Sequence, residues 1–300
     1  MYNSLPAEVW RQIFAAAVSP CVHAQRIQTI GDDDDDPFNL TNPQHLRGSI
    51  KTKLALCLVS KSFNSLATEF LYECIHFTSR DGLNRSIPLS TGGGANKFWW
   101  TKVLELPFSY SWGDSVAPVT HLLPKCVNLR LLVLPEMTPE LDLDQVESVY
   151  RSIPRSVRAI RCWNDDELPM NQHIPTTVLN NLCQMSIASI KKMSGPAVTL
   201  PRLTYLRAMD GFAPTNLTLP ALRTVCLVAW GSNKELESSP LGLFIQSYAK
   251  QITTLQIETP FEVDFPVPLI DRCTNLATLK YDPFLVRFRN LPQSIDRDAV

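Results

Sequence analysis

The chain has 300 residues, 45% hydrophobic and 19% charged, with a formal net charge of -1. That balance excludes a wholly disordered chain and gives no net positive field to attract nucleic acid, while the length leaves room for two folding units. No apolar run reaches the length of a membrane span, and Met1-Tyr2-Asn3-Ser4-Leu5-Pro6 has no basic and apolar leader pattern, so the expectation is an intracellular protein, cytoplasmic or nuclear.

The first predicted element is a helix starting near Leu5. Pro6 suits the first helical position, where its missing N–H costs nothing, and Glu8 suits the positive end of the helix dipole. Val9, Ile13 and Ala17, with Trp10 and Phe14 alongside, make one broad apolar face. From about Ser19 to Gly48 the chain carries Asp32 to Asp36 and then Pro37, Asn39, Asn42 and Pro43, a composition that predicts a solvated loop. An uninterrupted aspartate run lacks the spaced oxygens and glycine turn of a calcium loop. Helical spacing resumes with Leu54 and Leu58 on one face. Ser60 is the predicted N-cap of a third helix that continues through Phe63, Leu66, Ala67 and Phe70. Three short helices carry more apolar surface than so small a unit can bury, so they need either a partner or the next domain to cap.

Residues 78–98, with Gly92, Gly93 and Gly94, read as a flexible connection. No Gly-Lys-Ser or Gly-Lys-Thr follows the glycines, as a phosphate-cradling loop would require. After Phe98 the sequence repeats itself. Windows of the Leu-x-x-Leu-x-Leu type begin at Thr101, Leu129, Val157, Leu182, Leu203, Leu222, Ile252 and Leu276, at intervals of about 19 to 30 residues. Their flanks repeat too. Cys126-Val127-Asn128-Leu129 returns as Cys273-Thr274-Asn275-Leu276, and Leu200-Pro201-Arg202-Leu203 as Leu219-Pro220-Ala221-Leu222. Leu141 to Ile153, Val178 to Ile190 and Leu241 to Ala249 read as helical outer segments, and prolines such as Pro135, Pro154, Pro201 and Pro220 punctuate the joins. Each unit would need stacked neighbours to bury its apolar side.

Side chains alternate across a strand, so the leucines of each window would face the core and the residues between them the opposite surface. Those residues run from Val103 and Glu105 through Arg161, Gln184, Ser186, Tyr205 and Arg207 to Thr278 and Lys280. Arg161, Tyr205, Arg207 and Lys280, with Trp163 and Trp230 just beyond their strands, would make an aromatic-basic patch for an acidic or phosphorylated protein partner. The other reading is an ordinary solvated face with both tryptophans buried.

The eight cysteines include no Cys-x-x-Cys pair and no Cys/His grouping, so no metal site is expected, and their apolar settings predict free thiols. The five histidines, at 23, 45, 76, 121 and 173, lie in no hydrolase or metalloprotease setting, and Asp165, Asp166 and Glu167 read as a turn. No catalytic residue, cofactor or metal is assigned, and the chain is not read as an enzyme.

One resemblance ties these elements together. Leu5-Pro6-Ala7-Glu8-Val9, then Ile13-Phe14, and later Leu56, Val59-Ser60-Lys61, Phe63, Leu66 and the aromatic Tyr72, resemble the F-box signature over residues 1–77. An F-box has its first two helices close together, so the acidic insertion at about 19–48 is a departure that bears on docking. The later windows resemble degenerate leucine-rich repeats over 99–300. The fold expected is therefore α/β: a small three-helix F-box followed by an irregular leucine-rich-repeat-like solenoid. The resemblance implies that Leu5, Pro6, Glu8, Val9, Ile13, Phe14, Leu56, Val59, Ser60 and Phe63 contact a Skp-type adaptor, and through it a cullin, while the repeats hold a protein substrate for ubiquitin transfer. The alternatives are an F-box or leucine-rich-repeat scaffold with no role in ubiquitin transfer, and a repeat protein whose first helices merely cap it.

Overall fold

The structure is a computed structural model and describes residues 5–18, 43–91, 96–106, 116–134, 143–162, 174–187, 197–209, 216–228, 240–259, 263–265, 267–288 and 296–299. Helix α1 (Ala7–Ala17) opens one residue later than expected. Pro6 keeps an extended ψ of 149°, and its carbonyl accepts from the N–H groups of Val9 (3.0 Å) and Trp10 (3.1 Å), so it caps the helix instead of beginning it. Helix α2 (Pro43–Val59) begins inside the stretch expected to be a loop, since proline is tolerated where no intrahelical N–H bond is needed. The remainder of that expected loop, 19–42, lies outside the described residues. Helix α3 (Lys61–Glu73) is capped as the sequence indicated, the Ser60 side chain accepting from the N–H of Phe63 at 3.1 Å.

These three helices enclose a core of their own. Phe14, Leu66 and Ala67 are buried in it, with Trp10, Leu56, Cys57, Phe63 and Phe70 packed around them. The rings meet edge to face: Trp10 and Phe63 at 4.7 Å, Phe14 and Phe63 at 5.0 Å. Arg11 grips Glu69 through two bonds, Nε to Oε2 at 3.1 Å and Nη2 to Oε1 at 2.9 Å, fixing α1 along α3.

Helix α3 runs directly into a parallel sheet. Its ten strands are β1 (Cys74–His76), β2 (Val103–Glu105), β3 (Leu131–Leu134), β4 (Ala159–Cys162), β5 (Gln184–Ile187), β7 (Tyr205–Met209), β9 (Thr224–Val228), β10 (Thr254–Glu258), β12 (Thr278–Tyr281) and β14 (Asp296–Ala299), paired in chain order. Two small parallel pairs stand apart: β6 (Val198–Thr199) with β8 (Leu217–Thr218), and β11 (Val263–Phe265) with β13 (Val286–Phe288). The molecule is thus mixed α/β with a mostly parallel sheet.

Every one of the eight windows leads a strand, each starting two residues before it. The register keeps them in phase, so that Leu104, Leu132, Ile160, Met185, Leu206, Val225, Leu255 and Leu279 form a single row in the main core. The turns before the strands stack as well. The N–H groups of Arg130 and Leu131 share the carbonyl of Lys102, those of Arg158 and Ala159 share that of Arg130, and the pattern continues through Cys183, Thr204, Arg223 and Thr253 to Ala277 and Thr278. Asparagines three residues before a strand tie one turn to the last: Asn128 donates to the carbonyl of Trp99 (2.7 Å) and Asn275 to that of Lys250 (2.6 Å).

Four expectations need correction. Residues 80–91, read as part of a flexible connection, form helix α4 (Arg80–Thr91), and Leu83 and Phe98 lie fully in the main core; Gly92 to Gly94 lie outside the described residues. The last residues of the stretch 1–77, Cys74 to His76, are not helical but form the first strand of the sheet. The outer segments α6 (Leu143–Arg151) and α8 (Pro240–Tyr248) fall where expected, whereas α7 (Thr176–Leu179), which follows the short helix α5 (Val116–Leu122), ends before β5 takes over the expected helix at 184. A last short helix, α9 (Val267–Asp271), leads to β12. Finally, Cys57, Cys126, Cys162, Cys183, Cys226 and Cys273 are free thiols, but Cys74 is disulfide-bonded. Burial pushes the Cys126 and Cys162 thiols up to about 12, consistent with hydrophobic packing and not reactivity.

Candidate functional site

Two surfaces were expected to carry function, and the structure treats them differently. On the helical unit, α2 turns Ile50 (45% exposed), Leu54 (47%) and Leu58 (86%) outward at intervals of four residues, with Val59 (63%) beside them, while Ile13 on α1 and Leu5 just before it are also exposed. Six of the ten large hydrophobic residues exposed among those described thus belong to this unit.

The expected adaptor contacts divide on this geometry. Leu5, Pro6, Glu8, Ile13, Val59 and Ser60 are exposed, although the Ser60 side chain is committed to its helix cap, and Val9 is half-buried. Leu56 and Phe63 are half-buried against the small core. Phe14 is 1% exposed and is not at the surface at all, because the three helices close around it. Ile50, Leu54 and Leu58 form a stripe that was not assigned as a contact, and its signal was the four-residue spacing that starts before Leu54.

Below this stripe the helical unit is fastened to the sheet. Glu73 Oε1 accepts from Lys102 Nζ at 2.8 Å, and the backbone carbonyl of Glu73 accepts from the N–H of Lys102 at the same distance. Lys53 of α2 is buried nearby, and desolvation lowers its pKa against the opposing pull of Glu73. One strand on, His76 Nδ1 meets Glu105 Oε2 at 2.5 Å, and that bond raises the His76 pKa. Lys97 lies over the Tyr72 ring, 5.7 Å from its centroid.

The second surface is the sheet face opposite the main core. Arg161, Arg207 and Lys280 do stand in one register row, with Ser186 between the first two and Cys226 and Gln256 before the third; Tyr205 stands one row earlier. Trp163 and Trp230 lie outside the described residues. This face is not the open surface expected. Val103, Leu131, Val133, Ala159, Tyr205, Cys226 and Val228 form a second buried cluster, since in-register side chains on strands about 4.8 Å apart cover one another. Arg207 Nη2 is paired with Glu258 Oε2 at 2.5 Å, Gln256 Nε2 donates to the other oxygen of that carboxylate at 3.0 Å, and neither Arg161 nor Lys280 is free. The row exists, and one of its cations, Arg207, already holds a carboxylate.

Among the described residues no group of three or more His, Cys, Asp or Glu is placed to hold a metal ion, and no helix is long and apolar enough to cross a membrane. Asp165, Asp166 and Glu167 lie outside the described residues. No protein-family model, curated protein or solved structure matches the chain.

Proposed function

We propose that the chain is the substrate-recognition adaptor of an SCF-type cullin-RING ubiquitin ligase. In this reading α1, α2 and α3 are the F-box that docks on a Skp-type adaptor, and the stacked parallel strands are degenerate leucine-rich repeats that hold a protein substrate. The chain itself would supply proximity, and the chemistry would belong to its partners. The observation that carries the reading is the stripe of Ile50, Leu54, Leu58 and Val59, exposed among the described residues on a unit whose own buried cluster, built on Phe14, Leu66 and Ala67, does not include them. The signature at Leu5 to Phe14 and at Leu56 to Phe63 supports it.

The test is co-expression with a Skp-type adaptor followed by co-purification. A one-to-one complex is expected, and it should be lost in Leu54→Glu/Leu58→Glu while the variant keeps its melting temperature. Capture of the double variant as strongly as the parent would refute docking through this face. The competing reading, a helical cap on the repeats, is favoured by the junction of Glu73 with Lys102 and Lys53, and it would require the parent to ignore the adaptor.

A further inference from the structure

The sheet has a charged edge that neither surface above includes. Consider the six residues leading into each of β2, β3, β4, β5, β7, β9, β10 and β12. Among them the sequence places ten Lys or Arg and not one Asp or Glu. The whole chain holds 28 basic and 29 acidic residues, so this segregation is not a composition effect. The stacked carbonyl pattern puts residues one before each strand in a single row, and Arg130 and Arg158 are neighbours in it, about 4.8 Å apart, with Arg223 farther along. Arg155, Arg202 and Lys250 belong to the same turns and are exposed, as is Arg223; Arg130 and Arg158 are half-buried. The one turn without a cation, before β5, stacks between those of Arg158 and Arg202: the Cys183 N–H donates to the Arg158 carbonyl and the Thr204 N–H to the Cys183 carbonyl.

Among the described residues none of these six cations is ion-paired: Arg158 Nη1 donates only to the carbonyl of Asn181 (3.4 Å) and Arg223 Nη1 to that of Leu222 (3.1 Å). The contrast with the opposite-face row, where Arg207 already holds Glu258, is direct. We propose that this edge binds an extended acidic segment of a partner polypeptide, laid across the strands from β3 to β10. Five strand steps span about 24 Å, the length of about seven extended residues. Guanidinium groups suit carboxylates because they can pair with both oxygens. A single-stranded nucleic acid would need rings to stack on, and the only aromatic residue in the turns from β3 to β10 is Tyr248, half-buried with its hydroxyl donating to the Leu217 carbonyl. An anionic membrane would need a broad plane, and this is a narrow line. At the β2 end, exposed Trp99 and Val127 on adjoining turns offer an apolar stop for a residue flanking the acidic run.

The inference stands apart from the adaptor reading, since α1 and α2 take no part in it. Its test is fluorescence anisotropy on the full chain with a labelled octapeptide of alternating Asp and Glu, its Asn and Gln counterpart, a single-stranded RNA octamer and phosphatidylserine vesicles. The acidic peptide should bind at low salt, weaken as salt rises, and outcompete the neutral one. Arg158→Glu/Arg202→Glu should weaken it roughly tenfold or more. Should that variant fold poorly, Arg155→Gln/Arg223→Gln, at two exposed positions, should weaken binding in the same direction. Equal binding of the neutral peptide, unchanged affinity in the folded variants, or tighter binding of the RNA or the vesicles would overturn the proposal.

Discussion

Glu73 is the residue at which the helices and the sheet are joined. It ends α3, its carbonyl and its carboxylate both accept from Lys102, and it faces the buried Lys53. Removing its charge leaves a buried ammonium without its counter-charge, so Glu73→Gln should cost about 2 kcal/mol in urea unfolding. An unchanged unfolding midpoint would mean that the junction is held by packing alone. His76, next along the chain, makes stability depend on pH. Its bond to Glu105 raises its pKa above 6.5, with desolvation opposing, so the protonated form favours the folded state. That contribution is fully present below the unfolded value and lost as pH rises through the folded one. Stability measured from about pH 6 to 8 should therefore fall less steeply in His76→Ala than in the parent. Parallel profiles would show that the pair does not titrate as described.

Single elements separate residues that hold the fold from residues exposed on its surface. The motif that recurs at Cys126 and Cys273 has a physical meaning in the structure: the cysteine is buried five residues before the strand, the asparagine reaches back to the preceding turn, and the leucine two before the strand packs in the main core (Leu129) or against it (Leu276). Asn128→Ala and Asn275→Ala should each cost about 1 kcal/mol in thermal unfolding, and their effects should add because the turns are far apart. Ser60→Ala should cost about 1 kcal/mol for the lost cap. In the same unit Phe14→Ala should be severe, about 3 kcal/mol or more, whereas Leu58→Glu at an 86% exposed position should leave the melting temperature in place. If Leu58→Glu destabilised as much as Phe14→Ala, the stripe would be internal packing.

Across the whole molecule, the repetition was legible because each repeat turns the same positions to the main core: two before the strand and the second residue within it. Window starts from Thr101 to Leu276 therefore located eight strands and their register directly. What a sequence cannot show is which rows lie beside one another. Leu131, Ala159 and Tyr205 read as surface because they alternate with leucines, yet they bury each other across strands. Arg207 read as a binding residue because its counter-charge, Glu258, is two strands away. The start of α2 was missed for a local reason, since Pro43 and the aspartate run before it suggest loop even where proline can open a helix. The stripe of Ile50, Leu54 and Leu58 was readable in part: two members were seen to share a face, but which way that face pointed depended on where α1 and α3 packed.

If the chain is the proposed adaptor, the helical unit presents this stripe to a Skp-type partner. The most direct measurement is size-exclusion chromatography of the co-expressed pair, parent against Leu54→Glu/Leu58→Glu, with melting temperatures taken on both chains. A one-to-one complex for the parent and none for an equally stable variant is the predicted result. A parent that runs alone beside the adaptor, or a variant that still binds it, would rule out docking through this face.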